Sequence, residues 1–265
     1  ESFDYGVDGG AIELYGDIDG ALIHHNYAVN CDGFFEAGGG SIKNVEMHYN
    51  LMVNNGKIGG FHLQGKFDAT IKNFTIINNT VVDQSVNQNE VLWFNGTPEP
   101  NEIKFINNLV YFDGFSRFTS GSEFIHENNI YFSPSNNTLD FSFNNSEMNE
   151  PPGIKNIETE NYSLLENSVA INAGLNHSYK KDFNNNKIID NPDIGAFESE
   201  IPLSLNQLNT TTPFYPNPTF GEIIIKSNTD NPVWTLYNIN GVILKNGSGR
   251  YINTNELQPG IFLFE

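Results

Sequence analysis

From Asp8 to Gly40 the chain reads DGGAIELYGDIDGALIHHNYAVNCDGFFEAGGG. Two short apolar–polar runs, AIELYG and FFEAGG, end at glycine, and a third, ALIHHNYAV, carries Asn26 between a polar pair and a small apolar run. Alternation with period two is the signature of strands, because successive side chains point to opposite faces. No long apolar stripe of period 3.6 occurs, so the pattern predicts an all-β chain. The unit then recurs. Aligned on the asparagine it reads ALIHHNYAV at Asn26, VEMHYNLMV at Asn50, FTIINNTVV at Asn79, IKFINNLVY at Asn108 and FIHENNIYF at Asn129.

Repeat lengths in the range of about 20–50 residues mark a solenoid, and β-rich units with glycine corners mark a β-helix rather than a helical array. Each unit is too short to bury its own apolar face, so stacked coils must bury it together. In VEMHYN the alternation places Val45 and Met47 inward and Glu46 and His48 outward. The asparagine then falls at a corner, where it tolerates the left-handed conformation and hydrogen-bonds locally. Stacked at about 4.8 Å per coil, the five asparagines are expected to form an internal ladder with a structural role.

Composition narrows the function. A formal net charge of −19 argues against a nucleic-acid or anionic-membrane surface, which would repel the chain. No run approaches the roughly 18 apolar residues of a membrane span. Cys31 is the sole cysteine, so no intrachain disulfide forms, and its NCDGFF setting reads as a small buried thiol. The chain has room for one large and one small domain. Because Glu1 opens mid-pattern without a signal peptide, further coils are expected ahead of it.

The repeat resembles the right-handed parallel β-helix proteins, a group that includes pectate lyases, polygalacturonases, alginate lyases of the chondroitinase B type and marine-polysaccharide hydrolases. The resemblance covers about residues 5–198. SVAINAGLN followed by NPDIGAFE at Asn191–Glu198 is similar to the closing segment of bacterial members. Between Ser133 and Ser163 the repeat weakens, with a late strand expected at Thr138–Phe143. Residues 201–212 read as a polar linker. In 213–265, the stretches YPNPTFGE, YNINGVIL and LQPGIFLFE resemble the C-terminal sorting domain used by Bacteroidetes for type IX secretion. That resemblance implies a small Ig-like β-sandwich, recognition by the secretion machinery and a secreted or cell-surface protein. The stretch stops short of the basic tail such domains carry. The expected architecture is therefore a right-handed parallel β-helix over 1–200, a linker, and a truncated sandwich, in a monomer.

On a solenoid, chemistry sits where side chains from successive coils line an outward face. Aligning the glycine-terminated strands AIELYG, FFEAGG, GFHLQG and VLWFNG puts Glu13, Glu36, His62 and Trp93 three positions before a glycine. With Ile12, Leu14, Phe35, Leu63, Leu92 and Phe94 inward, these four face outward beside Tyr15, Gln64 and Asn95. Glu13 and Glu36 would then be neighbours at about 5 Å, so one carboxyl pKa rises. A gap of about 5–5.5 Å fits a retaining glycosidase and about 6.5–9.5 Å an inverting one. On this reading Glu13 and Glu36 are acid and nucleophile or base, His62 assists, and Trp93 with Tyr15 offers flat faces to sugar rings. The leading expectation is glycoside hydrolysis of an extracellular plant or algal polysaccharide, needing no cofactor.

Two alternatives stand beside it. A polysaccharide lyase needs a base for the proton α to a uronate carboxylate and charge neutralisation; among Lys57, Lys66, Lys72, Lys104 and Arg117, the best placed are Lys66 and Arg117, with His62 as base. A non-catalytic adhesin would bind glycan without turnover. His24 and His48 form a second outward pair, too few ligands for zinc. In DFNNNKIIDNPD, Asp182, Asn184, Asn186, Asp190 and Asp193 fall at positions 1, 3, 5, 9 and 12 of an oxygen-ligand loop, so Ca²⁺ is a possible ligand; Lys187 stands where such a loop has glycine.

Overall fold

Alternation over short runs produces the first fifteen strands of the computed structural model, arranged as five coils of three. The first coil comprises β1 (Gly10–Tyr15), β2 (Ile18–His24) and β3 (Tyr27–Val29); the second β4 (Gly33–Gly38), β5 (Gly40–His48) and β6 (Leu51–Val53). The third comprises β7 (Lys57–His62), β8 (Ala69–Ile77) and β9 (Thr80–Asp83), the fourth β10 (Gln88–Asn95), β11 (Ile103–Ile106) and β12 (Leu109–Phe112). The fifth holds β13 (Phe115–Phe118), β14 (Ile125–Glu127) and β15 (Ile130–Phe132). The structure describes residues 10–84, 88–113, 115–118, 124–135, 144–199, 214–215, 221–227, 229–238, 242–257 and 262–264. The expected strand at Thr138–Phe143 and the 201–212 linker lie outside them.

Strands at equivalent places pair in parallel, giving three five-stranded sheets: β1-β4-β7-β10-β13, β14-β11-β8-β5-β2 and β15-β12-β9-β6-β3. This is a parallel β-solenoid, and the described residues contain no helix. Inward positions build one continuous core that includes Phe35, Val45, Met47, Phe61, Phe74 and Phe105. The Phe35, Phe61 and Phe74 rings lie 5.0–5.5 Å apart, centroid to centroid, within the range for favourable aromatic packing. Cys31 packs against this core, half-buried and free.

The asparagine ladder is present and directional. Each Nδ2 donates to the Oδ1 of the next coil: Asn26 to Asn50 (2.9 Å), Asn50 to Asn79 (2.9 Å), Asn79 to Asn108 (2.9 Å) and Asn108 to Asn129 (3.1 Å). Asn129 donates in turn to Glu147 Oε1 (3.0 Å), so a carboxylate terminates the chain of aligned amides. The corner itself differs from expectation. The left-handed residue is not the ladder asparagine but the one before it: His25, Tyr49, Asn78, Asn107 and Asn128 all have φ between 50° and 57°. The ladder asparagine instead turns inward, where its amide satisfies buried backbone groups.

The closing segment runs along this corner column. Asn78 Nδ2 donates to Asp193 O (2.7 Å), Asn107 to Leu175 O (2.9 Å) and Asn128 to Ala173 O (2.9 Å). In the first two coils His25 Nε2 bonds Asp182 O (2.6 Å) and Tyr49 meets His177 Nε2 (3.1 Å). A short antiparallel pair, β16 (Ile154–Asn156) and β17 (Asn161–Leu164), precedes the segment.

The chain divides into two compact units, Glu1–Glu200 and Ile201–Glu265. The second holds two three-stranded antiparallel sheets. One joins β18 (Phe214–Tyr215), β19 (Glu222–Ile225) and β22 (Tyr251–Asn253); the other joins β20 (Val233–Asn238), β21 (Ile243–Ser248) and β23 (Phe262–Phe264). Ile223, Ile225, Trp234 and Ile252 come from both sheets and form one buried cluster, the layering of a small sandwich.

Candidate functional site

Register places the outward residues of the first sheet in two rows. Glu13, Glu36, Gly60 and Trp93 are partners across β1, β4, β7 and β10. Tyr15, Gly38, His62 and Asn95 form the next row, two residues further along each strand. The Glu13–Glu36 pairing and the position of Trp93 match the glycine alignment. His62 does not: Gly60 occupies the place opposite Glu36, because the third coil reaches its turn glycine, Gly65, two residues later than its neighbours.

That offset creates the cluster. With no side chain at Gly38, the Tyr15 ring leans over it; a Cβ there would stand 2.9 Å from Tyr15 Cε1. The Trp93 ring lies over Gly60 in the same way, its Cε3 2.9 Å from a Cβ at that position. Between these rings Glu36 takes a hydrogen bond from the Tyr15 hydroxyl (2.7 Å) and a short contact from His62 Nε2, both on Oε1. The His62 ring stands edge-on to Trp93 (5.0 Å, 70°) and 6.2 Å from both Tyr15 and Phe67. Its side chain is 17% exposed and that of Glu36 15%, so the pair is sheltered but reachable.

Burial pushes the Glu36 carboxyl up, yet the hydrogen bonds from Tyr15 and His62, with the charges of His62 and Lys57, outweigh it and hold the group below the usual glutamate range. The carboxylate is therefore ionised at neutral pH and, as an acceptor, faces Nε2 of His62, so Nδ1 is the ring nitrogen turned away from it. Glu13 behaves differently. It is exposed, and its Oε1 folds back along β1 to 2.6 Å from where a Gly10 Cβ would be. Partners in register thus turn their carboxylates toward opposite ends of the strands, and at Glu36 the carboxyl is lowered rather than raised.

Around the cluster, Gln64 Nε2 donates to Asn95 Oδ1 (3.2 Å), and Lys66 Nζ stands 4.9 Å over the Phe67 ring. Lys57 pairs with Asp32 at 3.1 Å. Arg117 lies in β13, beyond the strand of Trp93, with its side chain outside the described residues. Phe67, Gly38 and Gly60 were not legible as site residues: a glycine under an aromatic ring carries no local signal.

The second outward pair, His24 and His48, stacks at 4.8 Å and 14°. His48 is not on the surface, however: it is only 7% exposed because Tyr179 of the closing segment lies flat on it at 3.9 Å. Two of the calcium-loop carboxylates, Asp182 and Asp193, are occupied by backbone amides. Asp182 accepts the Asn186 and Glu198 amides (2.7 and 2.9 Å) and Asp193 accepts the Asn172 amide (2.7 Å) and that of Ser199. Asn186 Nδ2 also donates to Asp182 (3.1 Å), while Asn184 and Asp190 are exposed on the intervening turns. Among the described residues no group of three or more His, Cys, Asp or Glu is disposed to hold a metal ion.

Fold and site together define a parallel β-solenoid with an acid–base and aromatic cluster on one open sheet. No protein family matches the chain, and no curated protein matches it.

Proposed function

We propose that the outer face of the first sheet binds and cleaves a polysaccharide, with His62 at the centre of the chemistry. The parallel β-solenoid is typical of polysaccharide-active enzymes and polysaccharide-binding proteins, but a fold alone does not set a reaction. The observation that carries the reading is His62, fixed through Nε2 by an ionised Glu36 and set between Tyr15 and Trp93. A carboxylate-oriented imidazole is a general base in search of a proton, and flanking aromatic faces suit sugar rings. Glu36 is committed to two donors and Glu13 turns away, which disfavours a carboxylate pair and favours β-elimination at a uronate. In that step His62 Nδ1 takes the proton α to the carboxylate, the electron pair forms the C4–C5 double bond, and the C4–oxygen bond breaks, its electron pair leaving on the oxygen, which takes a proton from solvent water. Lys66, at the rim beside Phe67, supplies positive charge for the uronate carboxylate. The sequence resemblance of the second unit to a type IX sorting domain supports an extracellular setting for such a substrate.

The test is a panel of alginate, pectate, chondroitin and neutral glycans, read for reducing ends and for ultraviolet absorbance of unsaturated uronate. Both signals are expected on a uronate polymer, with His62→Ala slower by about 10²–10⁴-fold and Glu13→Gln unaffected. Reducing ends without the ultraviolet signal, lost in Glu13→Gln, would overturn elimination in favour of hydrolysis. Binding without turnover would overturn the enzymatic reading.

A further inference from the structure

Four of the six histidines gather at one corner, His24, His25, His48 and His177. The coils there turn through the left-handed residues His25 and Tyr49, where the next three coils use asparagine. A bulky residue in that conformation is uncommon and is retained where its side chain has a task. Here the side chains tie down the closing segment in place of asparagine amides, and imidazole differs from amide in that it titrates.

We propose that His177–Tyr179 forms a proton-sensitive latch over the first two coils, closed while His48 and His177 are neutral and opened when they take up a second proton. The hydrogen bonds fix where the protons sit. The Tyr179 backbone N–H donates to His177 Nδ1 (3.2 Å), so Nδ1 is an acceptor and the ring proton is on Nε2, donated to the Tyr49 hydroxyl oxygen (3.1 Å). A second proton on Nδ1 would set two N–H groups face to face and break the tie. His48 lies between the His24 ring and the Tyr179 ring, 4.8 and 3.9 Å away. Its Nδ1 is buried with no hydrogen-bond partner, so a proton placed there has no acceptor, and the cation would be stacked against a second imidazole.

The groups that face the latch are His24 and His25 from the first coil, Glu46 and Tyr49 from the second, and Lys180 and Asp182 from the segment itself. The Glu46 carboxylate is occupied by the Tyr179 hydroxyl. Burial, with the neighbouring imidazoles of His24, His25 and His177, lowers His48 to about 4; burial, with Lys180, lowers His177 to about 4. Both folded values lie below the ordinary imidazole value of about 6.5. Their contribution is therefore fully present above that value and lost as pH falls from there through about 4. Burial raises the carboxyls of Asp182 and Glu198, which act in the opposite sense, so the readout must be local to the latch.

The experiment is hydrogen exchange on the full chain, comparing the Tyr179 amide with the Phe74 amide of β8, corrected for intrinsic exchange. Between about pH 7.5 and about pH 5 the Tyr179 protection should fall at least about tenfold while Phe74 holds. The double variant His48→Phe/His177→Gln should lose this pH dependence. Should that variant leave Tyr179 unprotected at every pH, imidazole ¹⁵N titration of the unaltered protein decides. There, His177 should keep Nδ1 unprotonated down to about pH 5. Protection of Tyr179 that is flat across this range, or a His177 titration near about 6.5 with Tyr179 still protected, would overturn the latch.

Discussion

Replacing Asn79 by alanine tests whether the ladder stabilises the solenoid. Asn79 is 1% exposed. Its Nδ2 donates to Asn108 Oδ1 (2.9 Å), Met47 O (3.1 Å) and Ile77 O (3.1 Å), and its Oδ1 accepts both Asn50 N (3.0 Å) and Asn50 Nδ2 (2.9 Å). After truncation Asn50 Nδ2 still has Ile23 O (2.9 Å), and Asn108 Oδ1 still takes the Asn79 backbone amide (3.0 Å). The Asn50 backbone N–H keeps no acceptor. An orphaned buried donor costs about 1–3 kcal/mol and the remaining bonds add about 1–2 kcal/mol net, so the expected loss is about 2–5 kcal/mol. Asn26, at the exposed donor end, bonds only Asn50 Oδ1 and His24 O with its side chain, so Asn26→Ala should cost about 1 kcal/mol or less. Urea unfolding followed by Trp93 emission in a Trp234→Phe background gives both values from the midpoint shift at constant m. Equal losses from the two variants, or a loss below about 1 kcal/mol at Asn79, would refute the ladder as a source of stability.

Two further outcomes follow from the site and its floor. A Cβ at Gly59 would stand 2.1 Å from Phe35 Cε1 in the core, so Gly59→Ala should destabilise by about 1–3 kcal/mol or more through overpacking, read by the same urea titration. Glu36, whose carboxyl lies below its ordinary range, contributes stability above the unfolded carboxyl value that is lost as pH falls through the folded one. Tyr15→Phe removes one of the donors responsible and should raise the Glu36 midpoint toward the ordinary value in a ¹³C carboxyl titration; an unchanged midpoint would show that the hydroxyl plays no part.

The repeat was legible because a solenoid is a quasi-one-dimensional object: each coil meets only its neighbours, so local period and global fold coincide. Spacing alone therefore placed the five asparagines in one column, Glu13 beside Glu36, and Phe35, Leu92 and Phe94 in the core. The carboxylate directions were not legible, since they depend on which donors lie diagonally across the sheet, and those are set by Gly38 and Gly60 and by the longer third turn.

By itself the sequence determined the all-β class, the coil period and which residues face inward, because alternation and corner residues act over a few positions of chain. Tertiary structure decided the rest. It moved His62 one outward row along and so joined it to Glu36, put the left-handed turn on His25 and Tyr49 rather than on the ladder asparagines, and laid Tyr179 over a histidine that alternation alone assigns to solvent. Each of these depends on contact between residues far apart in the chain, and the free energy of such contacts is absent from any local pattern.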